Sequence, residues 1–262
     1  MNYLFTTYSI IYAIATLIAV LGTMLGWYRR AVRGARDLSF LMMACAIASF
    51  ALVFETAATS IEVKLLWSKI EYIGAVASPV LYLLFVLRYA GLERFINRTR
   101  VFMLFLLPVL TLMMVFTNEF HMLHWSGFSS INPETNLIEY FHGPWFWVGY
   151  AGYTYLIMIL ATWLLVRMII RMHTSFRTQS WIILIGGLAP WLASFLYLTG
   201  LNPVPGLDLV PIGILLSSII LIHAILGNQL LDLVPVARAT LVETLDDGIL
   251  VLDPKDLSLI HI

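Results

Sequence analysis

Residues 4–28 read LFTTYSIIYAIATLIAVLGTMLGWY and contain no charged side chain. A helix of about 20 apolar residues is long enough to cross the hydrocarbon core of a bilayer. Trp27 and Tyr28, followed by Arg29 and Arg30, are typical of the interfacial end of such a helix. No basic segment precedes the stretch and no small-residue cleavage site follows it. We therefore predict a first membrane span and not a cleaved signal peptide.

Six further apolar runs of similar length follow the first one. They are continuous and do not alternate with polar residues, so they predict helices and not barrel strands. Only 11% of the residues are charged, against about 25% in soluble domains. We predict an all-α integral membrane protein, a seven-transmembrane helix bundle embedded in a lipid bilayer. The predicted spans are residues 4–28, 38–59, 65–90, 101–117, 144–168, 180–200 and 209–227.

The distribution of basic residues predicts the orientation of the bundle. Thirteen of the 15 lysines and arginines follow the first, third and fifth spans or lie in the C-terminal segment. Only Lys64 and Lys69 fall toward the other side. The positive-inside rule then places the N-terminus outside and the C-terminus in the cytoplasm. The net charge is zero and gives no reason to expect a nucleic-acid partner.

Ionisable and aromatic side chains gather toward the predicted outer ends of the second, third and fifth spans. Ionisable groups in a bilayer are costly and usually face the bundle interior, so we predict an outward-facing pocket with acidic groups and an aromatic wall. Alternatively, Lys69 and Glu71 extend to the interface and the aromatic residues form an ordinary belt. The candidates for contact with a signal are Glu55, Lys69, Glu71, Tyr72, Trp145, Trp147 and Tyr150.

Three histidines occur in the long connection 118–143. His121 and His124 are three residues apart, and His142 closes the segment. Neutral imidazoles at that spacing can bind a transition metal, but structural zinc sites normally show tighter Cys and His patterns. We therefore expect hydrogen-bonded loop histidines and predict no metal and no other cofactor.

The chain changes character after residue 229. Pro235 suits the first turn of a helix, and the apolar residues that follow fall on one face. We predict an exit helix at 230–245 that pairs with its copy in a homodimer. Asp246-Asp247-Gly248 is a turn signal, and the strand-like run 249–253 indicates that a soluble, partly β domain begins there.

Four segments of the chain resemble elements of one known family. The third helix of that family resembles WSKIEYIG (67–74), Pro79 and FVLRYAG (85–91). Its outer-loop element resembles HMLHW (121–125). The start of its fifth helix resembles GPWFW (143–147) with Tyr153. Its exit helix and the opening of a PAS domain resemble LDLVPVAR (231–238), DDG (246–248) and VLD (251–253). Through these segments the chain resembles the N-terminal seven-transmembrane sensor region of bacterial histidine kinases.

The resemblance implies a sensor module in the bacterial inner membrane that passes an extracytoplasmic or membrane signal to a cytoplasmic output domain and a response regulator. It adds His121 and His124 to the sensing candidates and makes Pro235, Arg238, Leu241 and Leu245 the signal-transmission residues. The chain contains no phosphoacceptor region and no Gly-rich ATP-binding motif, so we predict no enzymatic activity for it.

The predicted division is a sensor domain at 1–229, the exit helix at 230–245 and the start of a truncated PAS-like domain at 246–256. The last six residues, LSLIHI (257–262), read as translated adapter sequence, and we expect them to be a non-native tail.

Other functions remain open at this stage. The same bundle can serve a diguanylate cyclase. A small transporter would need polar groups at the bilayer midplane, whereas the charge here lies toward the outer ends. A membrane enzyme would use the loop histidines with Glu119 or Glu139 around a metal, and their spacing is poor for that. The number of helices alone does not decide between these functions.

Overall fold

The computed structural model is a bundle of antiparallel helices, described for residues 3–32, 34–171, 174–201, 204, 206–226, 251–252 and 258–260. Two short antiparallel strands, β1 and β2, lie in the long connection. The helices are α1 (Thr7–Tyr28), α2 (Ala35–Ala57), α3 (Ile61–Tyr89), α4 (Arg98–Phe116), α5 (Asn118–His121), α6 (Tyr153–Arg171), α7 (Thr174–Leu198) and α8 (Val210–Leu226). The strands are β1 (Trp125–Phe128) and β2 (Tyr140–His142), and a π-helical segment, Phe146–Gly152, leads into α6.

The predicted seven-helix bundle is confirmed. Within the described chain, six helices are long and apolar enough to cross a membrane, and α8 adds a shorter apolar one. Several helices begin before their apolar run. The α4 helix begins at Arg98, not at residue 101, because the Asn97 side chain accepts a hydrogen bond from the Arg100 amide at 2.8 Å and caps the helix there.

The connections divide the bundle into two ends. At the loop end lie the α2–α3 connection (58–60), the long connection (117–145) and the α7–α8 connection (199–209). At the arginine end lie the α1–α2 and α3–α4 connections, with Arg29, Arg30, Arg94 and Arg98.

The α2 and α3 helices form the tightest pair in the bundle. Gly74 lies so close to the backbone of α2 that a Cβ atom there would overlap the Ala44 carbonyl oxygen. Small residues allow this approach. Inside a bilayer the resulting van der Waals contact holds helices together, because the hydrophobic effect does not act between them there. At the arginine end the same two helices are joined by Arg88 and Asp37, whose Nε and Oδ2 atoms are 2.8 Å apart. The two helices are therefore held together along their length.

The long connection is a folded unit and not a free loop. Asn118, which is buried, accepts hydrogen bonds from the amides of His124 and Trp125 at 3.0 Å and donates to the Trp125 carbonyl at 3.0 Å. These bonds fix the entry into β1, which pairs with β2.

Asn136 and Lys64 fasten the long connection to the α2–α3 connection. Asn136 donates from its side chain to the carbonyls of Thr56 and Ala58 at 2.8 and 3.1 Å. Lys64, which is fully buried, donates to the carbonyls of Glu55 and Asn136 at 2.8 and 2.7 Å. The long connection is thereby held over the loop end of α2 and α3.

The C-terminal predictions are largely outside the described residues. The exit helix at 230–245, with Pro235, Arg238, Leu241 and Leu245, lies there entirely. Two short strands, β3 (Val251–Leu252) and β4 (Ser258–Ile260), pair in antiparallel fashion. The β3 strand falls within the predicted strand-like run, and β4 falls within the predicted non-native tail, so both assignments stay predictions.

The contribution of Asn136 to the stability of the fold can be tested by substitution. Its backbone is left-handed, with φ of 58°, and its side chain satisfies two carbonyls. Asn136→Gly keeps the backbone conformation and loses the two hydrogen bonds, so we expect about 2 kcal/mol of destabilisation. Asn136→Ala should cost about 1 kcal/mol more, because alanine disfavours this conformation.

Thermal unfolding of the detergent-solubilised chain, followed by intrinsic fluorescence, measures both effects. If Asn136→Gly unfolds at the parent temperature, these hydrogen bonds do not hold the connection in place.

Candidate functional site

A polar cavity lies at the loop end, under the long connection. It has a volume of about 80 Å³, whereas one buried water needs about 10–15 Å³, so several waters or one small ligand fit inside. Its lining comes from α1, α2, α3, β1, β2, the π-helical segment, α6, α7, the segment before α8 and the first residue of α8. The polar lining residues are Tyr12, Glu55, Thr56, Ser68, Glu71, Tyr72, Tyr140, His142, Tyr150, Thr154, Tyr155, Ser194, Tyr197 and Asp208.

Three carboxyl groups from three different elements share this cavity. Glu55 comes from α2, Glu71 from α3, and Asp208 from the segment before α8. None of the described residues that line the cavity is a lysine or an arginine. Burial raises the pKa of Asp208 to about 6, although the Val210 amide donates to its Oδ1 atom at 2.8 Å and lowers it in part. Above that pH the Asp208 carboxyl is negatively charged.

Tyrosines form most of the remaining polar wall. Tyr140, on β2, donates from its hydroxyl to Oε1 of Glu55 at 3.1 Å. Burial, together with the Glu55 carboxyl beside it, raises the pKa of Tyr140 well above its usual value, so the phenol keeps its proton and acts as a donor. Tyr12 donates to the backbone carbonyl of Asp208 at 2.6 Å and ties α1 to the segment before α8.

His124 stands beside the cavity in an aromatic cage. Its ring centroid lies 4.7 Å from that of Tyr72, 5.1 Å from Trp125 and 5.6 Å from Phe146. Within the described part of the chain, neither ring nitrogen has a hydrogen-bond partner. Burial, with repulsion from His142 and His121 in their charged forms, lowers the pKa of His124 to about 3. The ring is therefore neutral at physiological pH and packs as an aromatic group.

His142 closes one side of the cavity. Its ring stacks on Phe146 with centroids 3.6 Å apart and an interplanar angle of 7°. Burial lowers its pKa to about 4, so it contributes no positive charge at neutral pH. A neutral ring at this position leaves the three carboxyl groups as the dominant electrostatic feature.

A comparison with protein families bears directly on this arrangement. The family model described as the N-terminal 7TM region of histidine kinase matches residues 11–235. The chain belongs to this family. A comparison with curated proteins gave no match. A histidine kinase 7TM region is an input domain and not a catalytic kinase core, which agrees with the lack of kinase motifs in the sequence. The match begins within α1, continues through α8 and ends at residue 235.

Four of the sensing candidates predicted from the sequence line the cavity of this 7TM region. They are Glu55, Glu71, Tyr72 and Tyr150. The hydrogen bond from Tyr140 fixes the Glu55 carboxyl, and Tyr72 and Tyr150 pack on each other with ring centroids 5.1 Å apart.

The other candidates of this histidine kinase 7TM region lie outside the cavity lining. Lys69 forms an ion pair with the exposed Glu119. Trp145 donates to Oγ1 of Thr111 at 3.3 Å, toward α4, and Trp147 is 49% exposed. The ring of His121 is bonded locally, accepting from the Leu123 amide at 3.0 Å. His124 contacts the lining residue Tyr72 but does not line the cavity itself.

The three loop histidines do not assemble into a metal site in the part of the chain that the structure describes. No group of three or more His, Cys, Asp or Glu side chains there is arranged to hold an ion. His124 is caged by aromatic rings, His142 is stacked, and His121 is bonded within the α5 turn.

Several site residues were missed by reasoning from the sequence. They include Tyr12, Lys64, Tyr140, Tyr197 and Asp208. Asp208 had a readable signal, because it ends a Gly- and Pro-rich connection directly before an apolar span. The others had none, since a tyrosine in a span and a lysine near a helix start are each ordinary on their own.

An apolar cavity continues the polar one toward the middle of the bundle. Its volume is about 130 Å³, and Glu71, Tyr150 and Asp208 line both cavities. Pro79 of α3 and Pro190 of α7 lie in its wall, where each removes a backbone hydrogen bond from its helix. The histidine kinase 7TM region therefore has space, and not close packing, where these helices meet.

His124 gives a testable pH dependence for the 7TM region. Its pKa is about 3 in the folded protein and about 6.5 in an unfolded chain. The folded state favours the neutral ring. The contribution of His124 to the free energy of unfolding is therefore fully present above pH 6.5 and decreases as the pH falls toward 3. The loss is about 1.4 kcal/mol per pH unit in this window. His124→Phe removes the protonated form and should make unfolding less sensitive to acid.

Unfolding temperatures of the parent and the His124→Phe variant at pH 7.5, 5.5 and 4.5 test this expectation. The variant should match the parent at pH 7.5, since a neutral ring without hydrogen bonds is replaced by another aromatic ring. Parallel curves for the two proteins down to pH 4.5 would show that His124 does not control the acid transition.

Proposed function

We propose that the chain is the membrane input module of a bacterial sensor protein, most directly a two-component histidine kinase, and that the polar cavity binds its signal. Membership of the histidine kinase 7TM family supports the first part. The excess of arginines at the opposite end supports an extracytoplasmic loop end in the inner membrane, with the cavity accessible from outside. A buried cluster of ionisable groups inside a membrane bundle is costly and commonly serves function.

The signal is best described as a small amine or ammonium ion. The observation that carries this proposal is that Glu55, Glu71 and Asp208 line one cavity without a lysine or arginine among its described lining residues. A ligand cation would neutralise carboxylates that otherwise repel one another. The tyrosine rings around them offer π faces, which attract ammonium groups.

Transmission would pass through α8. Asp208 is two residues before the start of α8 and belongs to the cavity. A cation that binds more tightly when Asp208 lies close to Glu55 and Glu71 biases the position of α8. The predicted exit helix at 230–245 continues from α8, and Pro235, Arg238, Leu241 and Leu245 would carry the change across a homodimer to the output domain and response regulator.

An input module of a diguanylate cyclase would use the same cavity and the same exit helix. The two readings differ only in the catalytic domain that follows in the gene. Sequencing of the source DNA through codon 256 distinguishes them, and it also tests whether residues 257–262 are native. A frame that ends directly after codon 262 would contradict both sensor readings and favour a small transporter.

Ligand binding tests the cavity directly. We expect tetramethylammonium to bind the purified chain in detergent at neutral pH, measured by calorimetry or by a rise in the unfolding temperature. The neutral isostere tert-butanol should not bind. Glu71→Gln and Asp208→Asn should each weaken binding roughly tenfold, because each removes one charge from a buried ion contact.

The matched control is Glu119→Gln, which removes a carboxylate at the same end of the bundle that pairs with Lys69 outside the cavity. It should leave the affinity unchanged. Equal weakening by Glu119→Gln, or equal binding of tert-butanol, would contradict the cavity as the cation site.

The pKa of Asp208 adds a pH dependence to this binding. Protonation removes its charge, so affinity for tetramethylammonium should fall as the pH drops through about 6. Below that value the loss should level off at roughly tenfold, or about 1.4 kcal/mol, because protonated Asp208 is neutral like the asparagine of Asp208→Asn. Asp208→Asn should bind weakly at all pH values and lose the step near pH 6. A step that persists in Asp208→Asn would assign the titration to another group.

A further inference from the structure

A second recess lies at the arginine end, on the outer side of the bundle between α3, α4 and α6. Its volume is about 910 Å³, within the range of roughly 300–1,000 Å³ that ligand sites occupy. Its walls are mainly apolar, with Leu87 from α3, Leu104 from α4 and Leu160 and Leu164 from α6. We call this recess the arginine groove. It shares no lining residue with the polar cavity or its apolar continuation.

Three guanidinium groups lie in the arginine groove. Arg94 and Arg100 both stand over the ring of Phe95, at 5.0 and 5.8 Å from its centroid. Arg167 stands over the ring of Trp163 at 5.3 Å. Arg100 also donates to the Arg94 carbonyl at 3.4 Å, which links the start of α4 to the preceding connection.

The charge of the groove is not balanced from within. Among the described residues that line it, none is an aspartate or a glutamate. Glu93 precedes Arg94 in the chain but does not line the groove. Three cations held on aromatic rings at the edge of an apolar recess form a site for an anion that also carries apolar surface.

The packing of α4 shows where apolar material is missing. Its buried residues are Pro108, Thr111 and Val115, all in the half toward the loop end. The half toward the arginine end has no buried side chain, although it faces the groove with Met103 and Leu104. Membrane interiors are closely packed, so a permanent gap of this size would be filled by lipid.

We propose that the arginine groove binds one anionic phospholipid, with the phosphate at Arg94, Arg100 and Arg167 and an acyl chain along the leucine walls. Guanidinium groups bind phosphate in a bidentate manner, and basic recesses between membrane helices on the cytoplasmic side bind lipid headgroups. A free phosphate would leave the apolar part of the groove empty. The lipid would fix the spacing of α4 and α6, which are otherwise joined near the groove by the hydrogen bond from Tyr153 to the Leu104 carbonyl, at 2.6 Å.

The test uses the full chain, delipidated in a neutral detergent and titrated with phosphatidylglycerol or with phosphatidylcholine of the same acyl chains. Native mass spectrometry counts the bound lipids. We expect one phosphatidylglycerol to bind tightly and phosphatidylcholine to bind much more weakly. The triple variant R94Q/R100Q/R167Q should bind phosphatidylglycerol roughly a hundredfold more weakly, since three cationic contacts are lost.

The double variant R30Q/R36Q is the matched control. Both arginines lie toward the same end and also stand over aromatic rings, at 5.4 Å from Trp27 and 5.5 Å from Phe40, but they do not line the groove. Their loss should leave the tight site intact. Equal weakening in this control would show a diffuse electrostatic effect and overturn the proposal.

Leu164→Trp tests the acyl part of the site without changing charge. The larger side chain should fill the groove and weaken phosphatidylglycerol binding while the unfolding temperature without lipid stays near that of the parent. Unchanged binding in Leu164→Trp, or displacement of the lipid by millimolar glycerol phosphate, would show a simple anion site and overturn the lipid assignment.

Discussion

The buried ammonium group of Lys64 joins the parts of the loop end. It donates to the carbonyls of Glu55 and Asn136 and so connects the end of α2, the start of α3 and the long connection. A lysine buried without such partners would cost several kcal/mol. Because the carbonyls lie on different segments, the cost is avoided only when the long connection is docked. Docking brings Tyr140 to Glu55 and His142 to the cavity wall, so the polar cavity depends on this contact.

The docked connection also explains why the cavity can hold carboxyl groups at the depth of the helix ends. Tyr140 supplies one donor to Glu55, and the Val210 amide supplies one to Asp208. These donors stabilise single carboxylates but bring no positive charge. Lys64 is not a lining residue and its hydrogen bonds go to backbone carbonyls, although its charge acts on the nearby Glu55 carboxyl. In the proposed role, Glu71 and Asp208 are therefore the carboxyl groups that a bound cation would neutralise.

The sequence predicted the bundle well because the bilayer thickness fixes the length of each apolar run. It also predicted Glu55 and Glu71 at the cavity, since an ionisable residue within a span is conspicuous. Asn136 and Lys64 could not be paired in advance, because their contact is made across a long stretch of chain. Trp147 was predicted beside Tyr150 in the aromatic wall of the pocket. The π-helical segment Phe146–Gly152 changes the angle per residue there, and Trp147 is turned outward.

The two halves of the cavity differ in how firmly they are held, and this difference indicates which helix can respond to a ligand. The α2 and α3 helices are fixed by the close approach at Gly74 and by the Asp37–Arg88 ion pair. The α8 helix has neither constraint toward α2 and α3, and an apolar cavity separates it from them in part. Repulsion between Asp208 and the two glutamates therefore depends mainly on the position of α8. In the proposed role, a bound cation would remove that repulsion and favour a position closer to α3, whereas an empty cavity would favour a wider one. Because the predicted exit helix follows α8 in the sequence, we propose that a shift of this one helix carries the state of the cavity to the opposite end of the bundle.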